Sequence, residues 1–285
     1  MLRARDRHGF TLIEIMIALG MMLIVSGAVY QALNSIQRLS RAQGQQVNVQ
    51  STVRSAALVL ANEFRPLAAG LGLSGTESDL ITIAPTGATY RAERGFGVLC
   101  QAAGANRLRI NRLSFSGHRD PQPGRDSVSV FFEGNPAASD DDVWIPAAII
   151  AVGAGSCAGG ANPGIDLTVV AGTSLEGLPP GTPVRIHEVA ELRLYRSEGR
   201  SWLGMRSVSS DETIQPLSGP LRDADGLRLD YLGAAGLPTS VRSDVRAIRL
   251  TLRGESEATA NFGAQRGQPV SQELGTQVGL RNAIP

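Results

Sequence analysis

The chain has 285 residues, 42% hydrophobic and 19% charged, enough for one large domain or two small ones with a packed core. Its net charge is +1, and Arg3, Arg5 and Arg7 against Asp6 place +2 in the first nine residues, so the remainder sits near −1. That balance excludes a head that is basic all over and binds polyanions globally, while leaving a local patch open.

Residues 1–9 are short, polar and basic, and directly after Gly9 the chain turns apolar through Val29. The apolar run approaches the ~20 residues that a helix needs to cross a bilayer. Basic residues on its N-terminal side put the start in the cytoplasm and everything after about Leu33 outside. A cleaved secretory signal, with Ser26-Gly27-Ala28 as a cutting site, shares these features, as do a plain signal anchor and a buried core helix. Glu14 separates them. A carboxylate inside an otherwise uncharged apolar stretch costs on the order of 2.5 kcal/mol or more unless it is paired, so it points to function.

The segment Gly9-Phe10-Thr11-Leu12-Ile13-Glu14 resembles the cleavage and methylation motif of type IV prepilins and type II secretion pseudopilins. The resemblance implies cutting between Gly9 and Phe10 by a prepilin peptidase, then methylation of the Phe10 amine. It also implies that Glu14, fifth in the mature chain, pairs with the N-terminal amine of a neighbouring subunit. A carboxylate and an ammonium satisfy each other in low dielectric, where either alone is costly. Many major pilins carry a proline about twenty residues into the mature helix; this chain has none between Phe10 and Arg65, which leans toward a minor pilin.

Beyond the apolar run, Ile36, Leu39, Gln43, Gln46, Gln50, Val53, Ala57, Leu60 and Phe64 follow at steps of three and four. They predict a continuing helix whose last part, about 52–65, packs on the head, with Pro66 as its stop. After residue 75, short runs between dense turn signals predict strands. Segment 126–132 alternates, with Val128, Val130 and Phe132 on one face and Ser127 and Ser129 on the other. Segments 192–196 and 201–206 flank a hairpin turn at 197–200. Segments 227–232 and 245–253 are two further strands, the latter with Ile248, Leu250 and Leu252 sharing a face. The Gly- and Ala-rich stretches 153–164 and 233–236 read as loops. The expected fold class is α+β, a long N-terminal helix on an antiparallel sheet head, pilin-like. The expected division is a leader at 1–9, a transmembrane helix at 10–33, its amphipathic continuation at 34–65 and a β-rich extracytoplasmic head at 66–285.

The strands at 191–196, 226–231 and 245–252, with the closing segment 278–282, are similar to those of W-type minor pilins (PilW family) and, next, of J-type pseudopilins. The length suits the W-type better. Cys100 and Cys157 are the two cysteines. In a head outside the cytoplasm they are a candidate disulfide, with two separate thiols as the alternative.

Few residues offer chemistry. His8, His118 and His187 lie in no metal-ligand or nucleophile motif, so no enzyme, metal or cofactor is expected. Ser139-Asp140-Asp141-Asp142 and Asp223-Ala224-Asp225-Gly226 are oxygen-rich, and both read as solvated turns before calcium sites. Arg242, Arg246, Arg249 and Arg253 read as an exposed face paired with acids, and without interleaved aromatics a DNA contact is not expected. The expected function is structural: a minor pilin that helps initiate or cap assembly of a type IV pilus. Its expected partners are other pilins through the N-terminal helix, the prepilin peptidase and methyltransferase, and inner-membrane lipid. A J-type pseudopilin of a type II secretion system is the nearest alternative. A surface adhesin or DNA-uptake module is the alternative from another class.

Overall fold

A computed structural model describes residues 11–281 apart from 71–77, 136, 138–141, 158, 161, 171, 173–174 and 260–266. The chain divides into two compact units, Met1–Asn48 with Ser256–Val270, and Val49–Glu255 with Ser271–Pro285.

One helix, α1, runs Leu12–Phe64 over 53 residues. No proline interrupts it, and its end follows from Pro66, which disfavours helical backbone at Arg65. In the first unit nearly every side chain of α1 is exposed, from Leu12 at 78% to Ile36 at 61%. The buried positions begin in the second unit: Val49, Val53, Ala56, Ala57, Leu60 and Phe64. Their steps of three and four make one apolar stripe, as the sequence pattern predicts, and Leu60 and Phe64 are completely covered. Each such side chain contributes about 2 kcal/mol by leaving water.

The strands are β1 (Leu80–Ala84), β2 (Gly87–Gly104), β3 (Arg107–Asn111), β4 (Ser116–Gly117), β5 (Ser127–Phe132), β6 (Val143–Ser156) and β7 (Pro163–Val169). They continue as β8 (Pro183–Ser197), β9 (Arg200–Ser207), β10 (Gln215–Leu221), β11 (Leu227–Leu232), β12 (Ala247–Thr259) and β13 (Pro269–Gly279). All the named strand pairings with a given register are antiparallel. Two long strands organise them. β2 pairs with β8 from Gly87↔Arg193 to Val98↔Pro183 and also with β3, so the path β2–β3–β7–β6–β5–β8 returns to β2. This closed ring is a six-stranded barrel, and its interior holds Leu99, Leu108, Ile110, Val128, Val130, Ile165, Leu167, Val184 and Ile186. The far ends of β2 and β8 leave the ring and join β1, β9, β10, β11 and β12 in a sheet beneath 49–64 of α1. There Tyr90, Leu192, Leu203, Leu229, Ile248, Leu250 and Leu252 form a second core with Leu60 and Phe64. Gly254 marks the closest approach, because a Cβ there would stand 2.8 Å from Val53 and 2.9 Å from Val49.

The hairpin predicted at 197–200 joins β8 to β9 through Glu198 and Gly199, both with positive φ, the backbone of a tight type I′ turn. One expectation needs correction. Segment 153–164 is a loop only between the strands: 153–156 completes β6 and 163 opens β7. Gly155 lies there because a Cβ would collide with the Asp166 carboxylate and the Arg109 guanidinium across the ladder. Phe132 does not share the burial of Val128 and Val130; it is 44% exposed, since the β5–β8 ladder ends at Val130↔Val184 and leaves Phe132 beyond the barrel wall. Ser129, on the opposite face, is buried too, between Arg185 of β8 and Pro146 of β6.

Candidate functional site

The start of α1 and a charged seam in the head are the two places where polar chemistry concentrates. At the helix start Thr11 is the N-cap. The Glu14 N–H donates to Thr11 Oγ1 at 3.3 Å, while the Thr11 N–H and hydroxyl each donate to Glu14 Oε2 at 3.0 Å. This is a reciprocal capping box, two orphan donors of the first turn satisfied by the two side chains that the Thr-x-x-Glu spacing supplies. That spacing is legible in the sequence, and reading Glu14 only as an intramembrane carboxylate passes over it. Oε1 of Glu14 takes no part in the box. Gly9 and Phe10, the expected cleavage and methylation positions, lie outside the described residues. The helix has an 18-residue window of mean hydropathy 2.3 that is wholly exposed, long and apolar enough to cross a membrane.

The seam lies in the head. β8 buries three neighbouring polar side chains, Arg185, His187 and Glu188. His187 is in mid-strand, opposite Glu93 of β2 and Ser127 of β5. Burial, opposed by Asp79 and helped by Arg185, pushes its pKa down to about 4. Its Nδ1 stands 3.4 Å from Ser129 Oγ, and both residues are closed off from solvent, which leaves this pair no access to a substrate. Arg185 is held by Asp79 at 2.9 Å and Glu93 at 3.2 Å and lies 5.6 Å from the Trp144 ring centroid. Arg281 adds a second guanidinium to Glu93 at 3.1 Å.

Glu188 accepts from Arg94 Nε at 2.5 Å and Arg125 Nε at 2.6 Å, with Arg119 a further 3.6 Å away. Burial alone would raise its pKa; the two guanidinium hydrogen bonds outweigh that and hold the carboxyl below its ordinary range. Arg94 reaches on to Glu63 of α1 at 3.3 Å, Arg125 to Glu212 at 2.6 Å, and Arg119 to the buried Asp126 at 2.5 Å. Glu63 also accepts from the Tyr90 hydroxyl at 3.0 Å, and burial there lifts the Tyr90 pKa well above its usual value. On β8, Val184 and Ile186 belong to the barrel core and Ala190 and Leu192 to the helix–sheet core, so Glu188 sits between the two. The seam thus ties the helix end to the barrel with charges that neutralise one another. Its members are spread from residue 63 to 281, and only the broken apolar pattern of β8 hints at it in the sequence. A cleft of about 260 Å³ lies beside it, lined by Asn62 and Glu63, by Glu93 and Arg94, and by His118.

Cys100 and Cys157 are joined, with Sγ–Sγ 2.05 Å and Cα–Cα 5.6 Å. The oxygen-rich turn at 223–226 is occupied by cations of the chain itself. Asp225 pairs with Arg222 and, at 3.1 Å, with Arg253; Asp223 accepts from Ser201 at 2.7 Å and meets Arg196 at 3.3 Å. Of the other acidic cluster, residues 139–141 lie outside the described residues. In the arginine strip, Arg253 also pairs with Glu273 at 2.8 Å, Arg246 donates to the Ser243 carbonyl, and Arg242 to that of Leu80. Among the described residues no group of three His, Cys, Asp or Glu is placed to hold a metal.

The helix is long and apolar, is capped at its start by Thr11 and Glu14, and packs with its last part on an antiparallel sheet. The family model described as the prokaryotic N-terminal methylation motif matches residues 4–30. The motif indicates a type IV pilin-like or pseudopilin protein, a structural protein that a prepilin peptidase processes and that assembles with other pilins. No curated protein and no solved structure gives a significant match to the chain.

Proposed function

We propose that the chain is a structural minor pilin of a type IV pilus that helps initiate or cap its assembly. The observation that carries the reading is the methylation-motif match over residues 4–30, which takes in Gly9, Phe10 and Glu14 and the start of α1. In this reading residues 1–9 are a leader on the cytoplasmic side, 10–33 span the inner membrane, 34–65 continue the helix and 66–285 form a head outside. Cleavage frees the Phe10 amine for methylation, and Glu14 Oε1 neutralises the amine of an adjacent subunit. A place at one end of the filament suits the head: the six-stranded barrel adds bulk to the helix-on-sheet part, and an end subunit has one face without neighbours. The resemblance of the C-terminal strands to W-type minor pilins supports the same choice.

Mass spectrometry of the mature protein tests the reading first. A start at methylated Phe10 is expected, and a start at Val29 or an uncut Met1 refutes it. Glu14→Ala is expected to be cut normally and to lower the number of pili; unchanged piliation refutes the pairing role. Loss of the gene with pili intact and protein secretion abolished would assign the chain to a type II secretion pseudopilus instead.

A further inference from the structure

We infer that Tyr30, Arg38 and Arg41 form a headgroup anchor on α1 that holds acidic phospholipid at the outer face of the membrane. The inference rests on the membrane-spanning reading above. The sequence has no charged residue between Glu14 and Arg38. Residues 15–33 rise about 28 Å at 1.5 Å per residue, matching the ~30 Å hydrocarbon core. Arg38 and Arg41 follow Leu33 by five and eight residues, about 8 and 12 Å further along the axis, at the outer edge of the headgroup layer and just beyond it. Their stems can run back along the helix and leave the guanidinium at phosphate level. Tyr30 lies about 4–5 Å inside that boundary, where interfacial aromatic rings collect.

The three side chains also share a face. At 100° per residue Arg41 is about 20° from Tyr30 and about 60° from Arg38, so all lie within one sector of about 80°. Tyr30 is 68% exposed, and both arginines are exposed. Between Glu14 and Glu63 every charged residue of the helix is an arginine, Arg38, Arg41 and Arg54, so the helix supplies no carboxylate of its own near the pair. A guanidinium presents a fork of donors that fits phosphate oxygens, which a zwitterionic headgroup partly neutralises and an acidic one does not. The same register places Glu14 at the opposite boundary rather than in mid-bilayer.

The test uses the full-length protein in vesicles of equimolar phosphatidylcholine and phosphatidylglycerol. Alkaline carbonate extraction reads integration, and native mass spectrometry of the protein solubilised from the vesicles in mild detergent counts retained lipids. The wild type is expected to resist carbonate and to retain phosphatidylglycerol over phosphatidylcholine by about fivefold per arginine, the scale for a basic residue at an acidic surface. Arg38→Gln/Arg41→Gln is expected to resist carbonate and lose the preference, and Arg38→Lys/Arg41→Lys to keep most of it. Equal retention of the two lipids by the wild type, or a preference unchanged in the double glutamine variant, overturns the anchor and leaves the span standing. Release of the wild type by carbonate overturns the span and the anchor together.

Discussion

Replacing Glu188 by glutamine removes the charge at the centre of the seam and keeps its volume. The Glu188 side chain is 4% exposed and its partners Arg94 and Arg125 are 11% and 28% exposed, so the variant leaves two guanidiniums facing a neutral amide in a largely dry site. Breaking a buried pair by removing one partner costs about 3–5 kcal/mol. Here Arg94 keeps Glu63 and Arg125 keeps the more exposed Glu212, which moves the expectation to about 3 kcal/mol at neutral pH. For a protein of this size that is a fall in Tm of roughly 6–12 °C, read by near-ultraviolet circular dichroism on the detergent-solubilised full chain. The sign of the pH dependence is set by the lowered pKa of Glu188. Its contribution is complete above the unfolded carboxylate pKa and is lost as pH falls through the lower folded value, so wild type and variant converge in acid. A loss under 1 kcal/mol at pH 7, or a gap that widens in acid, refutes the assignment of Glu188 as the keystone of the seam.

His187 adds an acid dependence of its own. Its folded pKa of about 4 lies below the unfolded value of about 6.5, so the unfolded chain takes up the proton first and stability drains away as pH falls between the two. The full loss is about 3 kcal/mol, and His187→Gln should flatten the stability curve across pH 6.5 to 4; an unchanged slope refutes the buried neutral imidazole. Cys100 and Cys157 are 57 residues apart, and closing a loop of that length stabilises by about 4 kcal/mol in the chain-entropy model. Cys100→Ser/Cys157→Ser should therefore unfold at markedly lower denaturant concentration than the oxidised wild type. Coincident curves refute a stabilising cross-link.

The two ends of the chain differ in how much their residues reveal on their own. The helix and its cap are local: the apolar run, the Thr-x-x-Glu spacing and the three-and-four stripe to Phe64 act between residues a turn apart, so the sequence by itself determines α1, and Pro66 its end. The strands at 227–232 and the turn at Glu198 and Gly199 are local too, through alternation and backbone preference. Barrel closure is not. It depends on β2 and β8 meeting across about a hundred residues, on which partners flank β5, and on where each ladder stops, which is why Ser129 is buried and Phe132 is not. The seam needed the tertiary structure for the same reason. Glu63, Arg94, Arg125 and Glu188 look like ordinary surface charges until the fold removes water from around them, and only then does each carboxylate require a guanidinium brought from a distant strand.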